Sequence, residues 1–446
     1  MRPGEYFKTE EGQAYLHDKR KMERIYASAE HEPKSKKAFR SRATTEDKRA
    51  FQAEASKWMG LLDLTPLRGP VVVDMSFHPV GANPPSIEKL PKSYLDLLER
   101  RVGTDGSFTN ERLVFQNDRQ VKMLMVRYSL GLAATPQVSA TVTARRHFVA
   151  DLELVRRIER GDFEEPRDFG HRRWRDREHD RSQIFGHEHG HKLEDALEHL
   201  RELNLWPQKA RVDWGEGAFE RMRSFYRHCA QQALLGDSDR FIGSLLLDLP
   251  ELWKRRPREW LMKFASSSRG LLVSRPVSFS VGHAPRREGD TTMFAEALQR
   301  ALGGFMKSYP LLFPLLTQLS VTIFHVPPLP GRDGTDGKDL DNLARLIIPK
   351  VKEVFRPPST IWHAHQTFAV SSSDSRISDW ARTQTEIHRR IPAIAVSRYC
   401  AIELPRVPGD PRDGEVALAF GDGQQIESLW DQIDDFVGDW ERSLRG

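Results

Sequence analysis

Hydrophobic positions in this chain follow two periods. Short β-branched runs bounded by turn residues predict strands, as in Val71-Val72-Val73-Asp74-Met75-Ser76-Phe77 after Pro66-Leu67-Arg68-Gly69-Pro70. Apolar residues three and four apart, such as Phe51, Ala55 and Trp58, predict helices with one buried face. The first half reads as a strand (Arg24 to Ala29), a helix capped by Thr44 or Thr45 and running to Leu62, a strand (Val71 to Phe77) and a short helix (Ser86 to Leu98). Strands Val121 to Tyr128 and Val138 to Thr143 close it. The second half repeats that order: strand Pro276 to Val281, helix Thr291 to Phe305, strand Leu319 to Val326, helix Leu340 to Val354, then strands Ala393 to Leu404 and Glu415 to Phe420.

The stretch between them differs. It opens on Arg172-Arg173-Trp174-Arg175-Asp176-Arg177 and continues with helical patterns at Lys192 to Leu203, Ala218 to Leu235 and Phe241 to Phe264. The tail carries an amphipathic helix, Leu429 to Leu444, with Trp430, Ile433, Phe436 and Trp440 on one side. The expected class is α+β: two mixed-sheet domains with helices, over residues 20–145 and 276–422, joined by an all-helical insert over 150–275 and followed by a C-terminal helix over 428–446. The shared order suggests an internal duplication, although the halves have little identity.

Composition narrows the function classes. The chain has 446 residues, 39% of them hydrophobic, enough for two or three domains with real cores. Its net charge of +5, from 68 basic and 63 acidic residues, makes local clusters more telling than the total. Cys229 and Cys400 are the only cysteines, so a disulfide framework is implausible and a reducing compartment fits. Met1-Arg2-Pro3-Gly4-Glu5 leads into polar sequence, and the longest apolar segments, Phe241 to Leu249 and Leu311 to Phe324, are too short or interrupted to span a bilayer. The expectation is a soluble, cytoplasmic protein with no membrane partner.

Chemistry concentrates in Gly337-Lys338-Asp339-Leu340-Asp341-Asn342-Leu343-Ala344-Arg345, which follows a strand and opens an apolar helix. Asp339 and Asp341 project the same way if the backbone is extended, while Leu340 enters the core. Such a pair can hold a divalent ion against a phosphodiester, with Asn342 positioning the acids and Arg345, one turn on, contacting phosphate. The plainer reading is an acidic helix start favoured by capping and the helix dipole.

This run and the order of elements resemble the RusA-type Holliday junction resolvase family. The resemblance implies a magnesium-dependent endonuclease, homodimeric in that family, that cuts branched DNA. The family pattern is Asp-x-Asp-Asn-x-x-Lys at a helix start, followed by Asp-Asp-x-Gln-Val supplying a third acid. Asp339, Asp341 and Asn342 match, and Arg345 stands where the lysine is expected. The approach to the next strand, after an insertion from Pro357 to Thr385, offers Glu386 as best-placed third ligand, ahead of Asp379 and Asp374.

The first half departs in the opposite way. In Pro85-Ser86-Ile87-Glu88-Lys89-Leu90-Pro91-Lys92, Ser86 replaces the first acid, Glu88 the second and Lys89 the asparagine, while Lys92 keeps the basic position. Downstream, Asn117-Asp118-Arg119-Gln120-Val121 places Asp118 at the third-acid position. One half keeps two acids and the other keeps the third. Three arrangements follow: one active half with a relocated acid; a composite site using Asp339, Asp341 and Asp118, which paired domains do not obviously permit; or two decayed sites on a nucleic-acid-binding protein. The implied cofactor is Mg²⁺, with Mn²⁺ as a substitute, and the partner is branched or structured DNA, with homo-oligomerisation allowed.

Other clusters are weaker. Lys34, Lys36, Lys37, Arg40 and Arg42 form the best basic patch for nucleic acid, and Phe39 within it could wedge at a branch point. Lys254-Arg255-Arg256-Pro257-Arg258 is a shorter patch beside Trp253 and Trp260, which read as core or interface. His171, His179, His187, His189 and His191 are dense enough to bind zinc or nickel, but lack a cysteine or a His-Glu-x-x-His spacing, and a solvated loop is the better reading. Asp333-Gly334-Thr335-Asp336-Gly337 lacks the Gly-Lys-Ser/Thr ending of a phosphate loop, leaving Asp336 as an outer ligand at most. The leading expectation is a Mg²⁺-dependent, structure-selective endodeoxyribonuclease. The alternative is a catalytically inactive nucleic-acid-binding or assembly protein.

Overall fold

The computed structural model describes residues 3–41, 44–81, 83–129, 135–163, 193–205, 207–247, 249–254, 277–285, 290–309, 312–328, 339–356, 396–405, 414–423 and 429–445. After a helical turn at Pro3–Tyr6, the elements are α1 (Glu10–Met22), β1 (Ile25–Ala29), α2 (Thr45–Leu61), β2 (Val71–His78), α3 (Pro91–Glu99), β3 (Arg100–Val102), β4 (Phe108–Arg112), β5 (Val121–Tyr128) and β6 (Gln137–Ala144). Next come α4 (Arg145–Arg160), α5 (Leu193–Leu205), α6 (Pro207–Trp214), α7 (Glu216–Leu247) and α8 (Leu249–Lys254). The second half supplies β7 (Val277–His283), α9 (Asp290–Ser308), β8 (Leu319–His325), α10 (Leu340–Val354), β9 (Val396–Glu403), β10 (Glu415–Asp422) and α11 (Leu429–Arg445). The class is α+β, as expected, but the two mixed-sheet domains anticipated are replaced by one mixed sheet, because β5 of the first half pairs with β9 of the second.

Both halves contribute to one eight-stranded sheet, ordered β1-β6-β2-β5-β9-β8-β10-β7, with β3 and β4 forming a separate ribbon. Within each half the outer pairs are antiparallel and the inner pair parallel, β2 with β5 and β8 with β9. The halves join where β5 runs antiparallel to β9.

Their registers correspond residue for residue. Val71 faces Val121 and Ala144, just as Leu319 faces Val396 and Asp422. Ile25 faces Val142, and Val277 faces Phe420, the equivalent position. Both parallel pairs slip by one residue at the same place, between Val71 and Val72 and between Leu319 and Ser320. These equivalences map Met125 onto Cys400, which face each other across β5–β9, so a pseudo-two-fold axis passes through that pair.

Helices cover both faces of the sheet, so the inner strands are apolar on both sides. β2 and β8 are almost wholly buried, whereas edge strand β1 alternates buried and half-buried positions. On one face Phe51 of α2, Leu95 of α3, Leu298 of α9 and Leu343 of α10 pack on Val73, Leu124, Val321 and Tyr399. On the other, Phe148 of α4, Ile242 of α7 and Trp430 of α11 pack on Val72, Met123, Phe324 and Ile402. The helices after residue 150 therefore include elements that seal the back of the sheet. Arg127 and Arg398 face each other there, balanced by Asp74 at 3.3 Å and Asp239 at 3.0 Å. Neither Cys229 nor Cys400 is in a disulfide. Among the described residues, no helix is long and apolar enough to cross a membrane.

Candidate metal centre

The acidic helix start is built as a cap. Asp339 is extended (φ −63°, ψ 156°) and its carbonyl accepts the Leu343 N–H at 2.9 Å. Leu340, Leu343, Ala344, Ile347, Ile348 and Val351 are buried at helical spacing and fix α10 on the sheet. That packing places Asp341 in the first turn, where the helix dipole favours a carboxylate. Only Asp339 is extended; the two acids converge through the cap, not along a strand.

Asp118 comes from the other half. It opens a short 3₁₀ turn before β5, held by a capping box of Asn117 and Gln120. The Gln120 amide also donates to the carbonyls of Leu67 and Gly69 at 2.8 and 2.7 Å. The residues flanking Asp118 in the motif thus set the turn. Because β5 opposes β9, its start lies at the end of the sheet where β8 and β9 finish: Met123 faces Ile402, which faces Phe324. The chain entering α10 reaches the same end.

There the three acids meet. One carboxylate oxygen from each of Asp118, Asp339 and Asp341 lies within 4.8 Å of the others. Asp341 is 3% exposed, and its Oδ2 is buried with no hydrogen-bond partner. An orphaned carboxylate oxygen at a crowded acidic corner is unfavourable unless a cation joins it. Burial raises the Asp341 pKa to about 6, with Lys92 opposing and Asp118 and Asp339 adding to the rise. Burial and Asp118 likewise raise Asp339. The donor set suits a hard divalent ion: three carboxylates of an all-oxygen site, with remaining positions open to water or phosphate.

Lys92, in the first turn of α3, donates from Nζ to Asp118 and lies 3.5 Å from Asp96. Burial alone would lower its pKa, but Asp341, Asp118 and Asp96 together raise it, so it stays an ammonium. Arg119 Nε lies 3.9 Å from Asp339 Oδ1, and Lys122 pairs with Glu403 at 2.7 Å.

No protein-family model, curated protein or solved structure matches this chain. The three carboxylates form an acidic corner able to coordinate a divalent cation.

The remaining expected residues fall in different places. Asn342 is half-buried and its backbone N–H supports the Asp341 carboxylate, while Arg345 is exposed on α10. Glu88 does not join the acidic group; its Oε2 accepts from Lys352 Nζ at 2.9 Å. The objection to a composite site is overturned, because the halves share a sheet and β5 delivers Asp118 to the second half's acids. In the basic patch, Lys34 is paired with Asp47, Lys36 lies 2.8 Å from Asp96, and Lys37 is exposed. Phe39 is no wedge: it is 7% exposed and meets Tyr94 edge-on at 5.3 Å. The Arg40 side chain, Arg42, Glu386, Asp374, Asp379, Asp336, Trp260 and the five clustered histidines lie outside the described residues.

Two residues near the acids carried no sequence signal. Tyr399 lies in β9 with a fully buried, unpartnered hydroxyl. Burial and the neighbouring Asp341 and Glu88 raise its pKa. Lys352, in the last turn of α10, reads in sequence as an ordinary basic helix end.

Proposed function

We propose that this protein is a Mg²⁺-dependent, structure-selective endodeoxyribonuclease acting on branched DNA such as Holliday junctions. The observation that carries the reading is the meeting of Asp118, Asp339 and Asp341 around the orphaned Asp341 oxygen. These residues fill the acid positions of the RusA-type pattern, drawn from both halves of one pseudo-symmetric sheet. The pseudo-two-fold supports kinship with a family that works as a dimer, with two copies fused here.

Asp118, Asp339 and Asp341 would hold the ion. Bound there, a divalent ion supplies a more acidic water and charge neutralisation at phosphorus. Lys92 restrains Asp118 and places an ammonium where negative charge develops on a phosphate. Arg345 and Lys37, both exposed, are free to meet the DNA backbone, and Asn342 steadies Asp341 through its backbone N–H.

A second reading, an inactive nucleic-acid-binding or assembly protein, is favoured by Ser86 standing where the other half has Asp339. One experiment separates the two. Labelled four-way junction, flap, duplex and single-stranded DNA are incubated with wild type and Asp341→Asn, with Mg²⁺, Mn²⁺ or EDTA. Metal-dependent cuts that vanish in the variant support the nuclease; structure-selective binding without cuts supports the second reading.

A further inference from the structure

The pseudo-two-fold requires a second corner equivalent to the acidic one, and its residues can be identified. Ser86 precedes its helical turn with φ −64°, ψ 143°, nearly the backbone of Asp339, and its carbonyl accepts from Lys89, three residues on, where that of Asp339 accepts from Leu343, four residues on. Ser86 is thus the counterpart of Asp339, and Glu88 that of Asp341. Among the described residues, Glu88 is the carboxylate the second corner holds at these positions.

That carboxylate is already neutralised. Glu88 is 4% exposed, and Lys352, reaching from the last turn of α10, places Nζ 2.9 Å from its Oε2. A buried carboxylate needs a positive partner, and an internal ammonium supplies it. In the first corner Lys92 contacts Asp118, yet Asp341 Oδ2 still has no partner. In the first corner the ammonium bonds Asp118 and leaves Asp341 Oδ2 without a hydrogen-bond partner, whereas in the second the ammonium bonds the lone carboxylate itself.

We propose that the chain is one-sided: a single divalent ion binds at Asp118, Asp339 and Asp341, and the Glu88–Lys352 pair closes the equivalent corner against metal. Resting on the nuclease reading, this makes the chain a single-strand nickase, which orients branched DNA with both halves and hydrolyses one phosphodiester per binding event. Water adds to phosphorus, the 3′ P–O bond or its 5′ counterpart breaks, and the leaving alkoxide takes a proton. The opposite strand stays whole.

Native mass spectrometry and calorimetry with Mn²⁺ on the full chain test the stoichiometry. One ion per chain is expected in wild type and in Glu88→Gln, with affinities within about two-fold, and none in Asp341→Asn. Two ions per wild-type chain, or loss of the ion in Glu88→Gln, would overturn the proposal. Circular dichroism on each variant separates a lost site from a lost fold, and Lys352→Arg, which keeps the charge, should leave one ion bound. A junction labelled on all strands, with enzyme limiting, tests the outcome. Cuts confined to one strand per event are expected, and paired cuts within one event would overturn it. If no DNA is cut at all, the nuclease reading fails, while ion stoichiometry still decides the asymmetry.

Discussion

Asp118 and Asp341 belong to opposite halves of the chain, yet their carboxylate oxygens lie within 4.8 Å of each other. The antiparallel β5–β9 pairing makes this so, by bringing the start of β5 to the end of β8. Among the described residues, the acids of the corner come from both halves. The contact also concentrates unfavourable charge, which gives the site measurable properties apart from any activity.

Mn²⁺ or Mg²⁺ should raise the melting temperature of wild type. At a hundred times the dissociation constant the gain is about 2.7 kcal/mol. Asp341→Asn should abolish that gain, and Asp339→Asn should weaken it strongly. Thermal melts with and without ion check both; a full metal-induced shift in Asp341→Asn would remove Asp341 from the site.

Without metal, the Asp341 carboxyl should make stability fall as pH rises. Its folded pKa, about 6, exceeds the ordinary 3.8, so its contribution is complete below the ordinary value and is lost as pH climbs through 6. The loss is roughly 3 kcal/mol before relaxation. Asp239, raised to about 7 mainly by burial, acts with the same sign. Denaturant titrations of metal-free Asp341→Asn and wild type should converge below pH 4, separate between pH 4 and 6, and keep a constant difference above that.

Metal affinity should run the other way, because the ion needs the ionised acids. Below pH 6, binding should weaken up to about tenfold per pH unit and release a proton, which calorimetry in buffers of different ionisation enthalpy measures directly. Affinity independent of pH between 5 and 7 would exclude Asp341 as a ligand.

Lys92→Met should separate two effects. Removing the ammonium from Asp118 should tighten Mn²⁺ binding, since a competing positive charge is gone. Any cleavage rate should fall by about 10²-fold if Lys92 meets the developing phosphate charge. Equal losses in both would make Lys92 purely structural.

A buried charge cluster should govern stability away from the site. Asp151 bonds Arg20 at 2.6 Å and His17 at 3.0 Å, while Arg24 grips Asp434 at 2.8 and 2.9 Å, tying α1, α4 and α11 together. Burial alone would lower the His17 pKa, but the hydrogen bonds it donates to Asp151 and Asp434 raise it above 6.5. Its contribution is full below 6.5 and lost as pH rises through the raised value. Asp434 is depressed: burial opposes, but His17 and Arg24 prevail, so its contribution holds above the ordinary value and fades as pH falls through the depressed one. Asp151→Asn takes the carboxylate from buried Arg20 while Arg24 keeps Asp434, and should cost about 3 kcal/mol, read by denaturant unfolding.

Strand and helix positions were legible because burial on a sheet or helix face imposes a period on neighbouring residues. Val121–Tyr128 and Leu340–Val354 were readable to the residue, and α11 nearly so. α1, α4 and the β3–β4 ribbon were not anticipated. α4 packs on the back of the sheet through Phe148 and Leu152, a face whose existence depends on the whole sheet. The local motifs at Asp339–Asn342 and Asn117–Val121 were likewise visible, since caps and turns are written in adjacent residues.

The sequence by itself determined the elements, their repeated order and the acids able to hold a metal, all consequences of spacing over a few residues. Which acids meet was decided only by tertiary structure. Whether Asp118 joins Glu88 or Asp341 depends on the direction in which β5 pairs with β9, and strand pairing between distant segments leaves no periodic trace. The same holds for Lys352, an ordinary basic residue at a helix end until the fold brings Glu88 against it.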